Sequence, residues 1–283
     1  METRVSSPSK EVIIGDDQPT VLIGERINPT GKKKLAEALK AGDLKIVRKE
    51  ALAQTEAGAD IIDVNVGTFG VDEVALLPKV VKAVTQTVDT PLCLDSVNPD
   101  ALEAALKVYK GKPLVNSVTG EEHSLKRVLP LIKEYGAAVV SLVQDDEGIP
   151  KDAEGRLRVA HKIVKQAEAA GIPREDLVID CLAFAVGAEP SSGAAVIEAI
   201  RRIKAELGVN MTLGASNISF GLPDRELLNN AFVVMAAAAG VTCLIVDAAK
   251  VRPIILAGDL VLGRDKRARR YIEAYRQRQK VEK

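Results

Sequence analysis

Apolar runs of strand length recur eight times along the 283-residue chain, and longer stretches with helical spacing separate them. The runs are VLIGERIN (21–28), IIDVN (61–65), LCLDS (92–96), PLVNS (113–117), AVVSLVQ (138–144), LVIDC (177–181), TLGASN (212–217) and CLIVDA (243–248). Continuous apolar character, without alternation of apolar and polar positions, is typical of parallel strands covered by helices. The pattern therefore predicts an α/β fold, either a closed (β/α)8 TIM barrel or an open doubly wound sheet.

Each of the eight runs ends on a polar residue or soon reaches one. The markers are Asn28, Asn65, Asp95, Asn116, Gln144, Asp180, Asn217 and Asp247. Their spacing of about 31 residues per unit suits the usual length of a (β/α)8 barrel. We therefore favour the closed barrel, in which these side chains meet at one mouth. For Gln144 and Asp247 we expect only the ordinary role of a residue that ends a strand or caps a helix.

The two ends of the chain differ from the middle. Residues 11–25 (EVIIGDDQPTVLIGE) predict a short hairpin into the first barrel strand, with DDQP as its turn, which plugs the barrel floor. Residues 264–283 carry nine Lys or Arg against three Asp or Glu, which favours a solvated helix over one that docks an acidic partner. We divide the chain into an N-terminal extension (1–20), a (β/α)8 barrel (21–262) and a basic C-terminal helix (263–283).

Composition excludes several classes of protein. Lys plus Arg and Asp plus Glu are both 39, so no net field attracts nucleic acid or an anionic membrane. Cys93, Cys181 and Cys243 lie in separate apolar runs, which indicates reduced, buried thiols in a cytosolic protein rather than zinc or iron–sulfur ligands. No apolar stretch reaches the roughly 18 residues of a membrane span. We expect a soluble, cytoplasmic protein.

The predicted mouth collects hydrogen-bond acceptors. Asp95, Asn116 and Asp180 follow strands three, four and six, so they surround one hole from different sides. Buried carboxylates without donors are costly, and a flat heterocycle with an amino group and ring N–H groups, such as a pterin, would supply those donors. A divalent cation is the alternative ligand, because hard cations favour carboxylate oxygens. We rank it lower because the chain lacks a local cluster such as D-x-D, and we expect no bound metal.

The sequence offers no nucleophile for covalent catalysis. His123 and His161 fall in helical segments away from the mouth, so no Ser-His-Asp or Cys-His set can be assembled. The chain lacks both G-x-G-x-x-G after the first strand and G-x-x-x-x-G-K-[ST], which disfavours dinucleotide-binding and nucleoside-triphosphate-binding folds. A sugar substrate is disfavoured because the chain has no Trp and only four Tyr and four Phe. The reaction must therefore depend on hydrogen bonding.

Six motifs in this order resemble one family. LIGERIN, DVNVG, LCLDS, VNS, VIDCL and GASNISFG, between about residues 21 and 250, are similar to the pterin-binding methyltransferases that transfer the methyl group of methyltetrahydrofolate to a corrinoid protein. They also resemble the folate domain of cobalamin-dependent methionine synthase. The resemblance implies a (β/α)8 barrel that is usually a homodimer. It also implies methyltetrahydrofolate or tetrahydrofolate as the substrate.

The resemblance assigns roles to individual positions. It implies that the pterin edge is held by three residues, with Asp180 facing the amino group, and that Asn217 hydrogen-bonds N5, which carries the methyl group. The implied pterin-edge residues are Asp95, Asn116 and Asp180; Gly214 and Ser216 shape the strand-seven loop; Arg225 lines the pocket; and Asn28, Asp63 and Asn65 support it from neighbouring strand ends. Phe220 after SNIS looks more like methionine synthase than like the other corrinoid-protein methyltransferases.

The implied reaction explains why an amide is sufficient. Cobalt in the corrinoid is the nucleophile, and the enzyme has to stabilise the charge that builds on N5 by protonation or by a hydrogen bond. No cobalamin-binding motif of the D-x-H-x-x-G type is present, so the corrinoid arrives on a partner protein.

Two alternatives stay open. Dihydropteroate synthase shares the barrel and the pterin-edge contacts, but it needs a lysine in a serine-arginine-lysine context after strand seven. It also needs an asparagine-threonine-proline-aspartate-serine signature after strand one. The corresponding segments here are GASNISFG and GERINPTG. A barrel that only binds folate or docks a corrinoid protein, without catalysis, is the second alternative.

Overall fold

Eight parallel strands form a closed barrel in the computed structural model, which describes residues 1–281. In chain order they are β3 (Val21–Ile27), β4 (Ile61–Asn65), β5 (Leu92–Asp95), β6 (Leu114–Thr119), β7 (Ala138–Leu142), β8 (Leu177–Asp180), β9 (Asn210–Thr212) and β10 (Cys243–Val246). The hydrogen-bonded order runs β10-β3-β4-β5-β6-β7-β8-β9. Backbone bonds from Thr242 to Met211 and from Ile245 to Leu213, both 3.0 Å, join β9 to β10. The predicted (β/α)8 barrel is therefore confirmed.

Helices alternate with the barrel strands and cover their outer faces. They are α1 (Lys33–Lys40), α2 (Lys45–Glu56), α3 (Glu73–Thr85), α4 (Pro99–Leu106), α5 (Glu122–Tyr135), α6 (Ala153–Ala169), α7 (Ser192–Leu207), α8 (Arg225–Ala239), α9 (Ala248–Val261) and α10 (Arg269–Val281). Side-chain hydrogen bonds at the N-termini determine where several of these helices begin. The Asn98 side chain, for example, accepts from the N–H of Asp100 at 3.0 Å just before Pro99, so that α4 begins there.

The core has two apolar layers. Residues such as Leu94, Val139 and Ile179 pack outward against the helices, whereas Ile23 and Val178 fill the barrel interior. All three cysteines are buried and unpaired, as the apolar runs predict. Among the helices of residues 1–281, none combines the length and the apolar character needed to cross a membrane.

The N-terminal hairpin differs from the expected one. β2 (Glu11–Gly15) pairs antiparallel with β1 (Glu2–Ser6), and not with the first barrel strand. The segment DDQP does form a turn, in which the N–H of Gln18 donates to the Gly15 carbonyl at 3.3 Å, but this turn leads from β2 into the barrel. The polar residues of β1 concealed its strand character. Thr3 faces inward although it is polar, because Asn210 donates to its hydroxyl at 2.9 Å.

This hairpin covers the floor of the barrel. Val5 and Ile14 are fully buried and pack against the interior residues of the barrel strands. The Asn210 side chain also donates to the Ile14 carbonyl at 2.9 Å, and Ser6 N–H donates to the Lys112 carbonyl at 2.8 Å. The amino ends of the strands are therefore sealed, and only the carboxyl ends open to solvent.

The chain after the barrel is tied to the floor by one buried carboxylate. Asp259 of α9 is 1% exposed and accepts from the Thr20 hydroxyl at 2.6 Å and from the Thr20 N–H at 3.0 Å. Arg270 lies 3.4 Å and Arg264 3.9 Å from its oxygens. The helix α10 that follows is largely exposed and basic, and the last two residues of the predicted C-terminal helix lie outside the described residues.

We predict that Asp259→Ala lowers the free energy of unfolding by about 3–5 kcal/mol, because two arginines are left without their buried partner. Urea denaturation of the purified protein measures this loss. Arg269→Ala is the matched control, since it breaks only the solvent-exposed pair with Glu273 and should leave the free energy of unfolding almost unchanged. Equal losses in the two variants would contradict the assignment of Asp259 as the anchor.

Candidate functional site

A cavity of about 600 Å³ opens at the carboxyl ends of the barrel strands. Its wall contains nine of the residues assigned from the sequence: Asn28, Asp63, Asp95, Asn116, Asp180, Gly214, Ser216, Asn217 and Arg225. Asn28 and Asp63 were expected behind the pocket, but both line it, because Asp63 faces the barrel interior and Asn28 lies in the loop directly after β3. Gln144 is turned away and donates to Glu121 at 3.1 Å. The two histidines are exposed on α5 and α6.

Two carboxyl groups on neighbouring strands, Asp63 and Asp95, interact electrostatically. Asp63 is 2% exposed, and the Asn116 side-chain N–H donates to it at 3.5 Å. Burial and the adjacent charge of Asp95 raise the pKa of Asp63 well above its usual range, so of the two groups Asp63 is the one that favours its protonated form. Burial also raises the pKa of Asp95, to about 6, although hydrogen bonds from Asn65 and Asp63 oppose this shift. Asp95 is therefore the carboxylate of the pair.

Asp180 is held at the end of β8 by backbone donors. One oxygen accepts from the N–H of Leu182 at 2.7 Å and the other from the N–H of Gly214 at 3.2 Å. Burial, with 4% of the residue exposed, raises the pKa of Asp180 to about 6. Because each oxygen has a further lone pair, the carboxylate can accept two more hydrogen bonds from a ligand in the cavity.

An arginine behind Asp180 was not found from the sequence. Arg156 of α6 has no exposed surface; its Nε donates to the Pro150 carbonyl at 2.9 Å, and its guanidinium carbon lies 5.9 Å from the centre of the Phe184 ring. Its two terminal nitrogens have no hydrogen-bond partner in the described part of the chain. Its charge lowers the pKa of Asp180 and so opposes the effect of burial.

The sequence contained a signal for this arginine. Arg156, Val159, Ala160 and Ile163 are spaced i, i+3, i+4 and i+7, so the arginine occupies the apolar stripe of α6. A charged residue on such a stripe has to be buried together with it. Such a position is therefore a candidate for an electrostatic role.

The loop after strand seven carries the free amide. The run TLGASN was predicted as a strand, but β9 ends at Thr212, and two residues later the N–H of Gly214 donates to the Asp180 side chain. A 3-10 turn, Ala215–Ser219, follows and places Asn217 at the cavity wall. The Asn217 side chain is exposed and makes no hydrogen bond within residues 1–281. It is therefore available to a ligand.

Arg225 fixes the shape of this loop. Its Nη2 donates to the Ser216 carbonyl at 2.8 Å and its Nε to the Ser219 hydroxyl at 3.0 Å. The guanidinium also lies 5.8 Å from the centre of the Phe220 ring, which is 70% exposed at the mouth. Arg225 thus acts on the cavity mainly by holding the segment that contains Asn217.

Three further charged residues line the cavity and were missed: Glu25, Arg26 and Lys32. Glu25 accepts from the Ser216 hydroxyl at 2.9 Å, and burial raises its pKa. Lys32 donates to the Arg26 carbonyl at 2.8 Å, and burial lowers its pKa. The signal for Glu25 was a carboxylate inside the apolar run VLIGERIN. Within residues 1–281, no group of three or more His, Cys, Asp and Glu side chains is arranged to hold a metal ion.

Residues 24–247 match the family model described as pterin binding enzyme. The chain belongs to this family. It is 34% identical over 267 residues to methylcorrinoid:tetrahydrofolate methyltransferase from Eubacterium limosum, and the match covers 91% of this chain and 96% of that protein. It is also 34% identical over 266 residues to methionine synthase from Mycobacterium tuberculosis, covering 89% of this chain but only 22% of that longer protein.

Solved structures of pterin-binding barrels have the same fold. Dihydropteroate synthase from Xanthomonas albilineans, in complex with indole-2-carboxylic acid and 6-chloroguanine, has a TM-score of 0.72 at 21% identity and covers 93% of this chain and 99% of its own. The enzyme from Yersinia pestis with a pterine-sulfa conjugate has a TM-score of 0.70 at 16% identity, covering 92% and 100%. At these identities the likeness establishes the barrel fold of the pterin-binding family.

The titration of Asp180 predicts how the stability of the ligand-free protein depends on pH. Its pKa rises from 3.8 to about 6 on folding, so the folded state binds more protons between these values. The free energy of unfolding should therefore fall as the pH rises from about 4 to 6, by up to about 3 kcal/mol from this group.

Urea denaturation at a series of pH values measures this dependence. Asp180→Asn removes this titrating group, so its pH dependence should be shallower than that of the wild type. The remainder comes from the other carboxyl groups whose pKa rises on folding, which are Glu25, Asp63, Asp95, Asp176 and Asp259. Parallel curves for the two proteins would show that the pKa of Asp180 is not raised by folding.

Proposed function

We propose that the chain is a methyltransferase that moves the N5-methyl group between methyltetrahydrofolate and the cobalt of a corrinoid protein. The observation that carries the proposal is a single cavity in which fixed carboxylates face an unpaired amide, Asn217. A relative with this activity in its name is 34% identical over almost the full length of both chains.

The cavity wall fits the edge of a pterin. Asp180 offers two free lone pairs in a fixed direction, which suits an amino group and an adjacent ring N–H on one edge. Asp95 and Asn116 extend the row of hydrogen-bonding groups across the interior. Each hydrogen bond to a charged group contributes about 1.5–3 kcal/mol, which is sufficient to orient the ring. A bound pterin also replaces the water that these carboxylates would otherwise need.

Asn217 is placed to act on N5. A tertiary amine is a poor leaving group, and electron density accumulates on its nitrogen as the methyl group departs. An amide N–H whose hydrogen bond to N5 becomes stronger at that moment lowers the activation free energy of methyl transfer. It does so without an ionisable group. Arg225 holds the loop, and the Asn217 side chain makes no hydrogen bond within residues 1–281. The amide therefore does not have to break an internal hydrogen bond before it binds N5.

A pyrophosphate-releasing condensation of the dihydropteroate synthase type is the alternative. The fold likeness to those enzymes shows only the barrel. The lysine expected just after strand seven in that reaction is missing, because the loop reads GASNISFG and its cavity-lining residues are Gly214, Ser216 and Asn217. Methyl transfer is therefore the better supported reaction.

The corrinoid partner has to reach the mouth. Because the cobalt must contact the methyl group, the partner covers the loops at the carboxyl ends of the strands. Those loops expose apolar side chains: Phe69 is 93%, Val97 96% and Phe220 70% exposed. Phe69 also lies 6.0 Å from the Lys40 ammonium, measured to the ring centre. We call Phe69, Val97 and Phe220 the rim residues. They offer the partner an apolar contact surface around the folate-binding cavity.

A second copy of the chain would cover another apolar surface. A groove of about 610 Å³ runs between α7 and α8 and is lined by Ile197, Leu228, Phe232 and Met235 among others. Met235 is 56% exposed within one chain. A homodimer through this groove is part of the proposal, as is a cytoplasmic location, which suits three buried and unpaired thiols.

We predict that Asn217→Ala lowers the rate of methyl transfer by at least about a hundredfold while the dissociation constant for methyltetrahydrofolate changes little, because its hydrogen bond matters chiefly in the transition state. The spectral conversion of Co(I) to methyl-Co(III) measures the rate, and equilibrium dialysis measures binding. Asp180→Ala is the contrast variant. It should weaken binding by about tenfold to a hundredfold or more, since a charged hydrogen-bond acceptor is lost. If binding and rate fell together in Asn217→Ala, the role assigned to the amide would be wrong.

We predict that the double variant Phe69→Ser and Val97→Ser raises the KM for the corrinoid protein by about tenfold or more, because exposed apolar anchors dominate such contacts. Its rate with free cob(I)alamin and its affinity for folate should stay unchanged. Val261→Ser removes an equally exposed side chain at the opposite end of the barrel and serves as the control. A loss of activity with free cob(I)alamin as well would place these residues in the folate site instead.

A further inference from the structure

Glu25 lies between two cavities. It lines the folate cavity and also a side pocket of about 250 Å³ at the start of α8 and α9. Ser216 donates its hydroxyl to Oε1 of Glu25 at 2.9 Å, whereas Oε2 has no hydrogen-bond partner in residues 1–281. Ser216 directly precedes Asn217 in the chain. The second oxygen of Glu25 is therefore unoccupied next to the residue proposed to bind N5.

The surroundings of Glu25 raise the pKa of its carboxyl group, although the Ser216 hydroxyl, Lys32 and Arg26 oppose this shift. The nearest cations are engaged elsewhere: Arg26 pairs with Glu50 at 3.4 Å and Asp247 at 3.7 Å, and Lys32 donates to backbone carbonyls. Burial is the main cause that raises the pKa of Glu25, and the charge of Asp247 adds to it. The charged groups that face it from the packed elements are Arg26, Lys32, Arg225, Glu226, Asp247 and Lys250.

Methyl transfer requires a proton at N5. When the methyl group leaves, the C–N bond electrons stay on N5, and the neutral product amine forms only if a proton arrives. The Asn217 amide can donate a hydrogen bond but holds its protons firmly at neutral pH. A carboxyl group with a raised pKa is suited to supply the proton.

We propose that Glu25 is the catalytic residue that donates the proton to N5, an inference that rests on the proposed methyl transfer. In the step, the methyl carbon passes from N5 to cobalt, the C–N electron pair takes the proton of Glu25, and Glu25 becomes a carboxylate. In the reverse direction the carboxylate removes the N5 proton while the methyl group arrives. No other reactant is needed.

The side pocket keeps Glu25 in contact with water. Glu226 and Lys250 in its wall are exposed to solvent. Glu25 can therefore exchange its proton with solvent through this pocket.

Glu25→Gln tests the inference, because it removes the proton and keeps the contact with Ser216. We expect single-turnover transfer from methyltetrahydrofolate to Co(I) to fall by about a hundredfold or more at saturating folate, with the folate dissociation constant within about threefold of wild type. In this direction the wild-type rate should decrease as the pH rises through the pKa of Glu25, and in the reverse direction it should increase. Both dependences should vanish in the variant. Glu122→Gln, an exposed carboxyl on α5, is the matched control and should behave as wild type.

Infrared difference spectroscopy provides a second measurement on the wild type. A protonated-carboxyl band that disappears during one turnover, and is missing in Glu25→Gln, supports the inference; if the variant does not fold, the wild-type band decides alone. An unchanged rate and pH profile in Glu25→Gln, or no loss of such a band in the wild type, overturns it. If the wild type itself fails to methylate Co(I), the proposed function fails. A wild type that methylates Co(I), together with an equally active Glu25→Gln variant, overturns only the role of Glu25.

Discussion

The site depends on the stabilisation of carboxyl groups buried at the open end of the barrel without a cation in direct contact. A lone buried carboxylate is costly, and each of these groups is stabilised in a different way. The raised pKa of Asp63 favours its neutral form, and its hydrogen bond to Asp95 stabilises the charge of that carboxylate. Asp180 remains an anion because two backbone N–H groups and the charge of Arg156 oppose the effect of burial.

This arrangement ties the chemistry of the site to its architecture. The Gly214 N–H that anchors Asp180 lies between the end of β9 and the start of the 3-10 turn. The turn then presents Asn217, and Arg225 holds it in place. One hydrogen bond across two strands thus couples the orientation of the carboxylate to the position of the amide.

The sequence was sufficient for the barrel and for much of the cavity wall. Eight continuous apolar runs at regular spacing require parallel strands, and closure brings their polar ends together, so Asp95, Asn116 and Asp180 could be placed without coordinates. The pairing of β1 with β2 could not, because its inward residue Thr3 is polar and is satisfied by Asn210, which is distant in sequence. The protonation of Asp63 and the roles of Arg156 and Glu25 were also beyond reach, since they depend on neighbours from other elements.

The Thr20–Asp259 contact places the entry and the exit of the barrel segment side by side on the sealed face. Polypeptide added before β3 or after α9 therefore leaves from the side opposite the substrate opening. A unit built in this way can be inserted into a longer chain without obstructing its own entrance. Such modularity accords with the relative from Mycobacterium tuberculosis, of which the matching region is 22%.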